Sequence, residues 1–190
     1  MKTKILFLIF SLFTAVAWAD SFDLGSHGTL NLVVPETWSV EGHDIKGMGY
    51  DLEFHVKKSA KTAIQVTLLY SSKDTPRDEK STEAEFTRNC GQFARASVEK
   101  KVAIKKMELK AGFGYYATFT DESLVGKPFV PGNFKTMTPG MMVLPPDVVA
   151  SVTIFAEDTG SQAFTQAVTM IQSTTLTPSP NPPATAPPGK

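Results

Sequence analysis

A single cysteine, Cys90, stands among 190 residues, so no disulfide can form within the chain. Net charge is missing as well. Nineteen basic residues balance nineteen acidic ones, which gives no argument for binding nucleic acid or anionic lipid. Beyond residue 16 there is no apolar run near the length of about 20 residues that a bilayer span requires. Internal repeats are absent. So are the short motifs of common chemistries: the H-E-x-x-H zinc helix, the phosphate-binding P-loop, a dinucleotide fingerprint after a strand, and the G-x-S-x-G nucleophile elbow. No cofactor is expected.

What remains is an ordinary globular composition, 42% apolar and 20% charged, between two unusual ends. Lys2 and Lys4 precede an apolar run over 5–16 broken only by Ser11 and Thr14. Ala17-Trp18-Ala19 then places small residues where a signal peptidase cuts. We expect 1–19 to be a removable signal peptide, hence a periplasmic or secreted protein with no transmembrane span in the mature chain. At the other end, 177–190 holds six prolines in 14 residues, which predicts an extended, solvated tail. Residues 20–176 are then one domain.

Within that domain the apolar pattern alternates between two periods. Leu30, Leu32 and Val34 share one face of a strand that Pro35 stops before Trp38. Over 48–56, Met48, Tyr50, Leu52, Phe54 and Val56 face one way and Gly49, Asp51, Glu53 and His55 the other, the mark of a half-buried strand. Thr62–Tyr70 alternates again and suits an antiparallel partner. Thr82 with Glu85 reads as a capping box opening a helix to about Lys100, with Phe86, Cys90, Phe93, Ala94 and Ser97 on its inward stripe. That placement favours a buried, inert Cys90 over a reactive thiol. Strands are predicted over 102–109 and 113–121, joined at Lys110-Ala111-Gly112, with Tyr115, Ala117 and Phe119 on one face. A central strand is expected over 148–156. A last helix follows caps at Asp158, Thr159 or Ser161 and carries Phe164, Ala167, Val168 and Ile171. Runs of strands around isolated helices predict an α+β domain, an antiparallel sheet flanked by helices.

This pattern resembles the PsbP/Mog/DcrB-like superfamily of α/β/α sandwich domains. The resembling pieces are Leu30–Val34 leading into Pro35-Glu36-Thr37-Trp38, a helix opening at Ser81-Thr82-Glu83, and the strand Phe113–Asp121. The run Val152-Thr153-Ile154-Phe155-Ala156 before a helix ending Met170-Ile171-Gln172-Ser173 completes them. The resemblance spans roughly 22–176. It implies a fold and a tendency toward binding and assembly roles, as in the extrinsic subunit of the oxygen-evolving complex, a Ran-binding transport factor and bacterial envelope proteins. It carries no site residue over to this chain.

Candidate chemistry is sparse. Asp51, Glu53 and His55 share a strand face at spacing two, but a metal there would need a ligand from a neighbouring strand. His27 and His43 lie beside glycines in segments expected to be exposed. The basic run Lys100-Lys101-Val102-Ala103-Ile104-Lys105-Lys106 reads as the solvated end of a helix and the strand after it. The most unusual stretch is 123–146, with five prolines, three glycines, no acidic residue and the apolar side chains Phe129, Val130, Phe134, Met137, Met141, Met142, Val143 and Leu144. Two readings stay open. One is a short hairpin, 134–137 turning at Pro139-Gly140 into 141–144 and packed on the sheet edge. The other is an adaptable binding surface formed by Phe129, Phe134, Lys135, Met137, Met141 and Met142. Thioether binding of a soft metal by Met137, Met141 and Met142 is a weaker third. The expectation is a non-catalytic binding or assembly module that docks an envelope protein through 123–146, not an enzyme. The rivals are a small-molecule or metal carrier using the same segment, and a hydrolase whose site assembles only in space.

Overall fold

The computed structural model describes residues 18–70 and 78–180. In chain order the elements are β1 (Trp18–Asp23), β2 (Thr29–Val34), β3 (Trp38–Asp44), β4 (Gly49–Val56), β5 (Thr62–Tyr70), α1 (Glu79–Ala96), β6 (Lys105–Met107), β7 (Phe113–Tyr116), β8 (Phe119–Thr120), β9 (Thr136–Leu144), β10 (Val148–Ala156), α2 (Gln162–Gln172) and β11 (Thr175–Thr177). Short 3-10 turns occupy Gly25–His27 and Glu122–Leu124. An eight-stranded antiparallel sheet runs β3-β4-β5-β10-β9-β7-β6, with β8 also paired to β9, and a small sheet runs β1-β2-β11. The chain is therefore a mixed α+β fold, as its periodicities predict.

The large sheet has two unlike faces. The even-numbered residues of β4, β5, β9 and β10 point to one of them. Leu52, Phe54, Ile64, Leu68, Met142, Leu144, Val148 and Val152 are there at 1% exposure or less. They pack with β2 and with Ala167, Met170 and Ile171 of α2, and each such side chain contributes about 1.5–3 kcal/mol by leaving water. The opposite face is covered over only part of its width. There α1 lays Phe86, Cys90 and Ala94 on Tyr115, Ala117 and Phe119 in a second, smaller core. Ser151, Gln65 and His55, on the same face but beyond α1, are exposed. The sequence reading of β10 as central holds, since it lies between β5 and β9. Its second face is only partly covered.

Four local expectations need correction. The helix starts at Glu79, because Asp78 is the cap and accepts from Ser81 N–H at 2.9 Å. Thr82 lies inside the first turn, buried, with its hydroxyl on the Asp78 carbonyl. The expected strand over 113–121 is two, β7 and β8. No hairpin turns at Pro139-Gly140; β9 runs straight through both residues as an interior strand. Finally, Thr177 belongs to β11 and pairs with Thr29, so ordered pairing reaches the first residue assigned to the tail.

The hairpin at Lys110-Ala111-Gly112 does join two strands. Gly112 has φ of +83°, and a Cβ there would meet the Val143 carbonyl oxygen at 2.0 Å. The segment expected to be a signal peptide lies mostly outside the described residues. Its last two, Trp18 and Ala19, form the start of β1 opposite Val34 and Val33. Most of the proline-rich tail, 181–190, also lies outside them.

Candidate functional site: an open apolar groove beside the C-terminal end of α1

Where α1 stops short of covering the sheet, its end forms a step, and a groove of about 700 Å³ runs along that step. The floor is Ala63 and Gln65 of β5, Phe155 of β10 and Met137 of β9. One wall is Phe93 and Ala96 of α1 with Ser97, which caps its C-terminal end. The end wall is Phe119, Asp121 and Leu124, and the lip is Gly132, Asn133 and Phe134, with His55 on the far side.

The aromatic rings make a continuous apolar track. Phe134 lies 5.5 Å from Phe155 between centroids, and Phe129 lies 6.3 Å from Phe134. Both are offset and tilted, the arrangement that ring quadrupoles favour. Lys61 places its ammonium 5.8 Å from the Phe129 ring centre. On the other wall Phe93 meets Phe119 at 6.1 Å. The lip is held by the backbone. A single antiparallel bridge joins Val130 to Asn133, and Asp121 N–H donates to the Lys135 carbonyl at 2.8 Å. Lys135 reaches Glu157 at 2.7 Å, both side chains less than one-third exposed, which fixes the segment entering β9.

Of the six residues singled out in sequence, the structure brings three together at this groove. Phe134 and Met137 line it, and Phe129 packs on Phe134. Lys135 is tied to Glu157 beside it. Met141 packs against the small core beneath α1. Met142 is 1% exposed and faces the principal core, so it shares no surface with Met137. The reason is period two: along β9 Met137 and Met141 point to the α1 side and Met142 to the other. A three-thioether site over 137, 141 and 142 is thereby excluded.

The other candidates are also placed. Glu53 and His55 approach at 3.5 Å on the uncovered face, and the register sets Glu41 opposite Glu53 and His43 opposite Asp51. Among the described residues no group of three or more His, Cys, Asp or Glu is gathered to hold a metal. Cys90 is buried under α1, and loss of hydration pushes its thiol up to about 11.

His27 departs from its expected exposure. It is half-buried, donates through Nδ1–H to Asp147 Oδ2 at 2.7 Å, and stacks on Tyr70 at 3.6 Å with the rings 8° apart. Burial, followed by the carboxylates of Asp44, Asp147 and Asp23, raises the Tyr70 phenol above its ordinary range. Asp147 Oδ1 is buried with no hydrogen-bond partner among the described residues. This cluster ties the 25–27 turn to the β9–β10 connection, 120 positions away in sequence. Only a coincidence of His, Tyr and Asp near strand ends hinted at it.

No family model matches the chain, and no curated protein matches it. Among solved structures it is similar in fold to the solution structure of cyanobacterial PsbP (CyanoP) from Synechocystis sp. PCC 6803. The superposition has a TM-score of 0.54 and 13% identity, and covers 87% of this chain and 96% of that one. The fold is thus PsbP-like over nearly its whole length. Among the described residues no helix is long and apolar enough to cross a membrane.

Proposed function

We propose that this chain is an exported, non-catalytic binding module of the cell envelope that docks a partner protein through the groove beside α1. The observation that carries the reading is the groove itself: an apolar floor of Phe155 and Met137, a raised lip at Phe134, and about 700 Å³ of open space. Contiguous apolar surface rimmed by polar residues is the usual character of an interaction site. The PsbP-like fold is compatible with such a role. The signal-peptide pattern over 1–19 supports export.

The test places a photo-crosslinking side chain at exposed Asn133, on the lip, and another at Glu41 on the far end of the sheet. Irradiation in the native envelope fraction should give an adduct at 133 and not at 41. Changing Phe134 and Met137 to serine should abolish it, and the purified captured protein should rebind the unmodified chain saturably. An adduct pattern indifferent to position, or to the double change, overturns the reading.

A second reading is favoured by the same volume, which falls within the range of small-ligand clefts, about 300–1,000 Å³. A carrier predicts a saturable rise in melting temperature with its ligand. A protein-docking groove predicts none across a panel of metals and metabolites.

A further inference from the structure

We infer that the segment seated in this groove is an extended, apolar stretch of the partner protein bearing one lysine or arginine directed at Asp121. The inference rests on the docking reading above and adds the chemistry of the occupant. It comes from the charge around the groove. Two ionisable side chains line it, His55 and Asp121, and neither lysine nor arginine does. Asp121 is exposed and caps the 122–124 turn with one oxygen, Oδ1, which accepts from Ser123 N–H at 2.8 Å. Its other oxygen has no hydrogen bond among the described residues.

One further negative group lies behind the end wall. Glu99 accepts from Thr120 N–H at 2.9 Å and Thr120 Oγ1 at 2.8 Å, and it has no ion pair among the described residues. The 18-residue helix α1 ends in the groove at Ala96, and its last turn already meets a cation, since the Lys100 ammonium donates to the Arg95 carbonyl at 3.5 Å. Three nearby lysines are engaged. Lys100 is paired with Glu122, Lys135 with Glu157, and Lys61 sits over Phe129 at the opposite lip. An apolar track that ends in uncompensated negative charge fits apolar side chains with a basic one at the α1 end. The floor stays open toward exposed Gln65 and Ser151, so a chain segment can continue along the sheet where a compact ligand would leave the face bare.

The probes are three capped, fluorescein-labelled pentapeptides, Leu-Leu-X-Leu-Leu with X as Lys, Gln or Glu, titrated by anisotropy against the full chain. The Lys peptide should bind about fivefold more tightly than the Glu peptide in low salt, the scale of an exposed ion pair. The two should converge at 1 M salt, where charges act within about 3 Å. Asp121→Asn keeps an oxygen for the Ser123 N–H and should erase the preference while leaving the Gln peptide unchanged. Serine at 134 and 137 should weaken all three alike. Equal binding of the Lys and Glu peptides, or a preference that survives Asp121→Asn, overturns the inference and leaves the docking reading standing. If no peptide binds, the inference falls, and the docking reading is decided by the crosslink at 133 alone.

Discussion

The thiol of Cys90 reports whether α1, the wall of the groove, stays seated on the sheet. It is 2% exposed between Phe86 and Ala94, and burial pushes its pKa from 9.0 to about 11. At pH 8 the thiolate fraction falls from about one-tenth to about one-thousandth, a hundredfold loss of the reactive species. A more basic thiolate is a better nucleophile, and a Brønsted slope of about 0.45 over those two units returns roughly eightfold. Ionisation alone therefore slows disulfide exchange by about tenfold. Access sets the rate instead, because a reagent can reach sulfur only when α1 lifts. Lifting rehydrates the thiol and restores its ordinary pKa, so the cost of opening replaces the ionisation factor, and about 4 kcal/mol lowers the native rate roughly a thousandfold. The assay is reaction with an aromatic disulfide at pH 8, native against 6 M guanidinium, read by released thiolate. We expect the native rate to be at least about a thousandfold lower. A native rate within about tenfold of the denatured one would put the cost of opening at no more than about 1.4 kcal/mol. That would show α1 detached from Tyr115 and Phe119 much of the time, and a groove wall that does not persist.

Three further outcomes follow from the same geometry. Trp38 is 2% exposed and donates its indole N–H to Gln166 Oε1 at 3.1 Å. A chain starting at Asp20 should therefore emit on the blue side of free tryptophan, and Gln166→Leu should cost about 1–3 kcal/mol in urea unfolding; a water-like spectrum refutes the placement. His27→Ala strips Asp147 of its partner at a half-buried site and should cost about 1–2 kcal/mol, while an unchanged midpoint would mean the stacked cluster is not formed in solution. The Glu99 carboxyl is pulled two ways. Burial, the largest single effect, would raise it, but the Thr120 N–H and hydroxyl, joined by its own N–H and the Ser97 hydroxyl, hold it below the ordinary 4.5. A depressed folded pKa contributes stability that is present above the unfolded value and lost as pH falls through the folded one. Melting curves of the native chain and Glu99→Gln should thus differ at pH 6 and converge progressively as pH falls below the ordinary 4.5; a gap that widens with acid would reverse the assignment.

The elements with an undisturbed period were legible before any coordinates. Thr62–Tyr70 and Val148–Ala156 match to the residue, and of the stripe Phe86, Cys90, Phe93, Ala94 and Ser97 that helical spacing predicts, Phe86, Cys90 and Ala94 are buried within α1 while Ser97 caps it. The missed strands have physical reasons. β3 alternates Trp38, Val40 and Gly42, and the glycine hides the third inward position, where a Cβ would press on Tyr50. β11 is three residues long and lies within a Thr-rich stretch leading into the prolines. β1 begins where the sequence reads most naturally as a cleavage site. At the candidate site, Phe134 and Met137 were found because aromatic and thioether side chains on a proline-rich segment are conspicuous. Ala63, Gln65, Phe93 and Phe155 were not, since each looks like an ordinary strand or helix residue; the register of β5, β10 and β9 brings Ala63, Gln65 and Phe155 to one floor, and α1 sets Phe93 beside it.

Beside the groove stands one residue that sequence rules would move to a turn, Pro139 within β9. Proline is found inside sheets only where its missing N–H leaves no ladder bond unmade. The amide and carbonyl of one strand residue project from the same edge, and the Pro139 carbonyl accepts from Ala117 N–H at 3.1 Å, toward the β7–β8 side. The missing N–H therefore falls in the break between β7, which ends at Tyr116 opposite Gly140, and β8, which starts at Phe119 opposite Met137. Across that break Thr118 and Thr138 bond through their hydroxyls at 3.0 Å. Both sides of the break keep one register, and beyond it Thr120 pairs with Thr136 and Asp121 N–H donates to the Lys135 carbonyl at 2.8 Å. Asp121 then bridges to Ser97 at the foot of α1, and Val98 N–H donates to the Thr120 carbonyl at 2.9 Å. Those contacts carry Phe119, Asp121 and Leu124 up against the helix end. The end wall thus rests on the bridge from this segment to the foot of α1, which holds Asp121 at the groove while the segment stays paired to β9.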